Sequence, residues 1–414
     1  MNQKINKILI VWVLLLLLFR PSFIGESYNP VVFVLFVLCS FLLYNKIKQD
    51  KNISIQKIST FYILNLTLLY FFIQGIILSD AKTTVLNASI LTICTSYIFY
   101  KILHAEEIQE TILKYFIYIH TCLVLSAIIT IIHFIIVGFD ASQLLKIGLV
   151  YPDKQDLHEF LLGDLLESSG QFYLHTIYFP FTVVWSSFSG LGFELPRFIG
   201  LYREPGMAQI FFCTAFFLTY YIEIQHRKIV RSILFIGALL IFSTAGFLSL
   251  IVGYFVVITS KQIKISRLRF LTSMAILISA IVIGLYLPGH GVLEKVESDS
   301  GVARSLAFDR GIERLSNNLI FGEGYYSGFH RDSEGLLIND SFEGILGVSF
   351  QIGVVGLILY FFTWVYSLKN YSNFSALPIY LPCILTWLFS QSNYNDIFTM
   401  FLLMLNTKNY SITV

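Results

Sequence analysis

No cysteine of this chain lies in a polar segment: Cys39, Cys94, Cys122, Cys213 and Cys383 all sit inside apolar runs, and none forms a CxxC pair. That excludes a disulfide framework and a paired-cysteine metal or redox site. Charge is equally scarce, at 13% of 414 residues against 56% hydrophobic, with a mean hydropathy of +0.72. Such a composition excludes a soluble domain carried on one anchor and describes an integral membrane protein. The apolar runs are longer than a barrel strand requires and lack period-two alternation, which excludes a closed β-barrel. An all-α integral membrane protein remains. Neither of the two long polar segments, 139–206 and 288–340, contains an HxxxH, HxxE or DxD pattern, and neither has GxSxG, so no metal, no other cofactor and no serine nucleophile is expected. A net charge of +2 points to no particular partner. The lysine-rich NKIKQDKNISIQK at 45–57 reads as a topology determinant, and no nucleic acid is expected.

What the chain has in abundance is apolar length. Hydropathy set against flanking charge predicts about twelve transmembrane helices, near 8–24, 29–44, 58–78, 85–102, 115–138, 207–224, 231–243, 247–260, 270–287, 342–367, 377–392 and 396–407. They group into an N-terminal bundle of about five spans (1–138), a first external loop (139–206), spans six to nine (207–287), a second external loop (288–340) and the last three spans (341–414). The opening MNQKINKILIVWVLLLLLFRP has the basic and apolar regions of a signal peptide but no small-x-small site before Arg20-Pro21, and reads as an uncleaved first span. The topology turns on 231–260. Its flanks are both basic, with Arg227, Lys228 and Arg231 on one side and Lys261, Lys264, Arg267 and Arg269 on the other, which favours two short spans turning at Ser243-Thr244-Ala245-Gly246. One long tilted helix is the alternative, and it would reverse the side of everything that follows.

With the amino terminus inside, both termini are cytoplasmic and thirteen of the seventeen lysines fall in cytoplasmic segments, as the positive-inside rule asks. Arginine does the opposite. Seven of eleven fall outside: Arg20, Arg197, Arg203, Arg304, Arg310, Arg314 and Arg331. Arginine placed against the insertion bias points to an anionic ligand, most economically a phosphate or diphosphate.

Both external loops are too long and too polar for connectors. In 139–206, DLHEFLLGDLLES reads as an amphipathic helix and FYLHTIYFPFTVVW as an aromatic, β-branched run at the interface or packed on the bundle. The following PRFIGLYREPGMAQIFF puts Pro205-Gly206 in the first turn of the next span, so its amides open beside Arg203 and form an anion site. Glu204 is there either as a stabilising helix-start acid or as a catalytic or acceptor-binding carboxylate. Arg197 and Arg203 bind either diphosphate or lipid headgroups. In 288–340, SGVARSLAFDRGIERLSNN reads as a short helix gathering Arg304, Arg310 and Arg314 within roughly 120° of arc, with Asp309 and Glu313 offering a solvated-face alternative. Gly322, Gly324 and Gly328 read as a flexible, close-approach turn. His330 is either a general base near neutral pH or a solvated loop histidine. Asp340, three residues before Glu343, is either a helix cap or another candidate base.

RFIGLYREPGMAQ, the paired short spans around FSTAG, and NNLIFGEGYYSG leading into NDSFEGILGVSFQIGVVGLI together resemble the O-antigen polymerase and O-antigen ligase superfamily, over about residues 190–365. The resemblance implies a metal-independent, inverting glycosyltransferase of polysaccharide biosynthesis. It would use undecaprenyl-diphosphate-linked oligosaccharide at the external face of the bacterial cytoplasmic (inner) membrane, building the O-antigen of lipopolysaccharide or a capsule. It assigns Arg197, Arg203, Arg304, Arg310 and Arg314 to diphosphate or glycan, leaves Glu204, His330 and Asp340 as candidates for the catalytic base, and suggests a flippase and a chain-length regulator as partners. The ligase branch usually carries a His-Asn pair at the mouth of the late span. Here those positions are Ile338-Asn339, which favours a polymerase over a ligase. A rival of another class, a polysaccharide flippase or secondary transporter, would mark its path with intramembrane ionisable residues, here mainly His120 and His133.

Overall fold

The computed structural model describes residues 55–79, 82–103, 106–137, 205–241, 243–260, 345–371, 374–389 and 397–407, six helical positions between 10 and 17, short strands and turns within 145–202, and parts of 316–339. Predicted spans 29–44 and 270–287, the amphipathic helix at 156–168, and Arg203, Glu204, Arg304, Arg310, Arg314 and Asp340 lie outside the described residues. Most described residues are helical, and among them three helices, over 61–78, 108–133 and 349–370, are long and apolar enough to cross a membrane. In hydrocarbon a backbone has only itself to hydrogen-bond, so long apolar runs become helices whatever their side-chain propensities.

Helices α1 (Ile55–Leu78), α2 (Lys82–Ile102) and α3 (Glu106–Val137) follow one another through short connectors. After them come α4 (Pro205–Leu218), α5 (Arg227–Leu240), α6 (Thr244–Ser260), α7 (Ile345–Tyr371), a 3-10 turn (Phe374–Ala376), α8 (Leu377–Phe389) and α9 (Ile397–Met404). Every residue of α9 is buried. Its Phe398 meets Phe116 of α3 at 5.6 Å and Phe211 of α4 at 4.2 Å, while Phe401 meets Phe99 of α2 at 5.5 Å, so α9 packs against α2, α3 and α4.

The described residues are mainly helical, as expected, with short strands added in the polar segments. Strands β1 (Leu145–Leu149), β2 (Tyr173–Thr176), β3 (Val184–Phe188) and β4 (Leu195–Phe198) form an antiparallel sheet in that order, and β5 (Phe329–Arg331) pairs antiparallel with β6 (Leu337–Asn339). The aromatic, β-branched run at 172–185 supplies β2 and enters β3. Residues of that kind suit a ladder, which also satisfies backbone groups that no helix employs.

Side-chain contacts fix the helix directions. Arg231 of α5 donates to the Thr219 carbonyl at 3.0 Å and Phe235 meets Phe216 at 5.7 Å, so α5 runs antiparallel to α4. Gly246 of α6 lies against Gln209 and Gly253 against Phe217, so α6 runs parallel to α4. The chain therefore reverses between Leu240 and Thr244, and the single tilted helix is excluded. Tyr360 meets Trp387 at 5.0 Å, making α7 and α8 an antiparallel hairpin. Gln209 and Thr214 of α4 bond Thr386 and Ile379 of α8, in opposite chain order. It follows that α4 and α7 begin at the same end of the bundle.

Candidate functional site

Tyr202 and Phe198 fasten the segment that leads into α4, Phe198 lying 5.0 Å from the Phe212 ring. Tyr202 is fully buried, and its hydroxyl lies 2.5 Å from Nε2 of His120, itself fully buried in the middle of α3. His120 Nδ1 is 2.7 Å from the Phe116 carbonyl. A carbonyl only accepts, so Nδ1 carries the proton, and in the neutral ring Nε2 accepts from Tyr202. Aromatic packing reinforces the bond: Phe211 stacks on Tyr202 at 4.1 Å and Phe212 stands edge-on to both Tyr202 and His120. Between β4 and Tyr202 the chain turns at Gly200, whose φ of +62° suits glycine and where a Cβ would come 3.0 Å from the Phe212 ring. Pro205 opens α4 three residues after Tyr202, where its fixed φ and missing N–H cost nothing. Arg203 and Glu204 are the two residues that separate these fixed points.

One turn into α4, Gln209 is fully buried. Its Nε2 donates to Thr386 Oγ1 at 2.8 Å, and that hydroxyl donates in turn to the Pro382 carbonyl at 2.6 Å. Gln209 Oε1 accepts no hydrogen bond among the described residues and faces Gly246, where a Cβ would stand 2.9 Å from it. The YREPGMAQ and FSTAG motifs are thus in direct contact.

The second polar segment is held by backbone. Gly353, at φ 65° and ψ −179°, breaks α7. Into the break goes the chain at 318–325: Glu323 N donates to Phe350 O (2.8 Å), Gly324 N to Gln351 O (3.0 Å), Val354 N to Leu319 O (3.0 Å) and Val355 N to Ile320 O (3.2 Å). Gln74 of α1 completes the seam, with Nε2 donating to Phe321 O and Gln351 O, both at 2.6 Å, and Oε1 accepting from Tyr325 N at 2.9 Å. Tyr70 adds a bond to Ile352 O at 3.1 Å. An unsatisfied peptide group in apolar surroundings costs several kcal/mol, so an interrupted helix persists there only when its freed groups are re-paired in this way. A Cβ on Gly322 would collide with Gln351 O, and one on Gly353 would come 2.5 Å from Gly322 N and Ile320 O. The close approach expected at Gly322 and Gly324 is present, but the flexibility is corrected: both are locked against neighbouring backbone. Gly328 lies outside the described residues.

His330 does not stand on a free loop. It is the central residue of β5, with Ile338 of β6 as its register partner, while Phe329 faces Asn339. Arg197 is in β4, next to the buried Phe198. Among the described residues no group of three or more His, Cys, Asp or Glu is placed to hold a metal. The residues that sequence reasoning passed over are Tyr202, Gln74 and Gln209. Their signal was available for the two glutamines, as polar side chains inside apolar spans. In comparison with known proteins, no family model matches the chain and no curated protein matches it.

Proposed function

We propose that this protein is a twelve-span glycosyltransferase of the bacterial cytoplasmic membrane that polymerises oligosaccharide repeats carried on undecaprenyl diphosphate, with an O-antigen ligase as the neighbouring reading. One observation carries the proposal: the two arginine-bearing segments return to the bundle at one end, where α4 and α7 both begin. Arginines from both segments then converge on one anion. In this reading Arg197, Arg203, Arg304, Arg310 and Arg314 grip the diphosphate of the donor and neutralise the charge that grows on it as it leaves, the task a divalent cation performs elsewhere. A sugar hydroxyl of the acceptor repeat attacks the anomeric carbon, the bond from that carbon to the diphosphate oxygen breaks, and configuration inverts. The hydroxyl proton passes to a base.

His330 is the favoured base, with Glu204 and Asp340 as the alternatives. The register of β5 and β6 supports it, because position 330 pairs with position 338, where the ligase branch carries its histidine. The transporter reading loses its main support at His120, both of whose ring nitrogens are engaged in holding Tyr202 and α3 together.

Transfer of a purified lipid-linked repeat by Arg203→Ala and Arg310→Ala tests the site. Each charge-assisted contact is worth roughly 1.5–3 kcal/mol, so each variant should lose about ten- to a hundred-fold in rate, with poor rescue by lysine. Full activity at normal protein levels overturns the assignment. Cysteines introduced at Leu165 and Gly335 test the shared face, since both should react with an impermeant thiol reagent on intact cells.

A further inference from the structure

Gln209 is fully buried one turn into α4, yet its Oε1 accepts no hydrogen bond among the described residues. Thr386 fixes which end of the amide that is. The Thr386 hydroxyl gives its one proton to the Pro382 carbonyl at 2.6 Å, so toward Gln209 it can only accept, and the atom it meets at 2.8 Å is Nε2. Oε1 is left facing α6. An amide oxygen without a donor in apolar surroundings is costly, and folded proteins keep few of them.

The surface that Oε1 faces is the first turn of a helix. It lies against Gly246, the third residue of α6, where a Cβ would stand 2.9 Å away. Phe247 N bonds Ser243 O at 3.0 Å and opens the ladder of α6, so the amides of Ala245 and Gly246 belong to the turn for which a helix has no acceptor of its own. A lone-pair donor and the positive end of a helix dipole are thus side by side. They lie at the end of the bundle where α4, α6 and α7 all begin. Gln209 is four residues after Pro205, a rise of about 6 Å, and Arg203 precedes that proline by two.

This pairing selects among ligands. An anion would suit the amides and be repelled by Oε1, whereas a cation would suit Oε1 and be repelled by the dipole. A neutral hydroxyl meets both, donating to Oε1 and accepting from an amide. We propose that Gln209 and the first turn of α6 bind one hydroxyl of the sugar joined to the donor's diphosphate. Gln209 is then a residue that selects the sugar, beside arginines that hold the diphosphate. The inference rests on the transferase reading and adds to it the part of the donor that the arginines do not recognise.

The test sets two lipids against each other on the full-length protein in detergent, with binding read by native mass spectrometry beside transfer and melting. One is undecaprenyl diphosphate, which has no sugar; the other is the lipid-linked repeat purified from cells that lack this protein. Gln209→Met removes Oε1 at nearly constant volume. It should weaken binding of the repeat about ten-fold and raise KM rather than lower kcat, while undecaprenyl diphosphate binds within about two-fold of the parent. It should also melt at or above the parent temperature, because a buried group without a donor is gone and Thr386 keeps its bond to Pro382. Gly246→Ala, whose Cβ would push the flexible amide aside, should repeat the selective loss. Unchanged affinity for the repeat in both variants overturns the proposal, since Gln209 is then a tie between α4 and α8 or a seat for water. An equal loss for the two lipids overturns it as well, by placing the effect on the diphosphate. A parent protein that binds neither lipid and transfers nothing overturns the transferase reading itself, and this inference falls with it.

Discussion

The two arginine-bearing segments reach the same end of the bundle but are fastened by opposite chemistry. The segment before α4 hangs from side chains, Tyr202 on His120 with Phe211 and Phe212 packed around them. The segment before α7 is sewn in by main chain, with Gly322 and Gly353 back to back and Gln74 closing the seam. A side-chain anchor has graded substitutes, since a ring or a hydrogen bond is removable separately. A glycine seam has none, because the obstacle to a larger residue is peptide backbone that cannot rotate away. The first attachment therefore tolerates variation by degrees and the second only all or nothing.

Gly353→Ala should show the largest effect. It combines a φ/ψ region occupied essentially by glycine with a 2.5 Å approach to backbone, so a loss of about 3–5 kcal/mol is expected, read as a collapse in the yield of monodisperse protein or a large fall in thermal midpoint. Wild-type melting of this variant would remove the contrast between the two seats. Gln74→Leu comes next. It keeps the apolar bulk but strips partners from Phe321 O and Tyr325 N, at about 2–4 kcal/mol in total.

Tyr202→Phe should cost less, about 1–2 kcal/mol, because the ring stays while His120 Nε2 loses its donor. The double variant His120→Phe, Tyr202→Phe sharpens the point: if the attachment is graded, removing both polar partners should recover part of the loss, as a double-mutant cycle on melting would show. Strict additivity would mean that the bond is not what couples α3 to the segment. The smallest effect belongs to the Thr67–Thr363 hydroxyl pair between α1 and α7, at 2.9 Å. A hydrogen bond between membrane helices averages roughly 0.6 kcal/mol, so Thr363→Val should be hard to distinguish from the parent protein by unfolding.

Some of this was legible beforehand. The spans drawn near 58–78, 115–138 and 342–367 meet the three helices long and apolar enough to cross a membrane, and the turn drawn at 243–246 adjoins the reversal between Leu240 and Thr244. The turn was readable because equal basic flanks and a Ser-Thr-Ala-Gly run are local signals. The strands were not, since β2 needs β1 and β3 to exist and nothing within FYLHTIYFPFTVVW names its partners. Of the residues proposed for the site, Arg197 and His330 fall within strands, and the role of the glycine turn changed from flexibility to contact.

Taken alone, the sequence determined that this chain is mainly helical, with helices long and apolar enough to cross a membrane, because apolar length and scarcity of charge decide solvent preference residue by residue and hydrocarbon leaves the backbone no partner but its own helix. Tertiary structure alone decided which buried polar group meets which. Gln74 closes on Phe321 across 247 positions and His120 on Tyr202 across 82, and no local periodicity carries that pairing. The physical reason is that helix formation is satisfied within a few residues, whereas an amide or imidazole inside an apolar bundle is satisfied only by whatever the packing of distant helices sets against it.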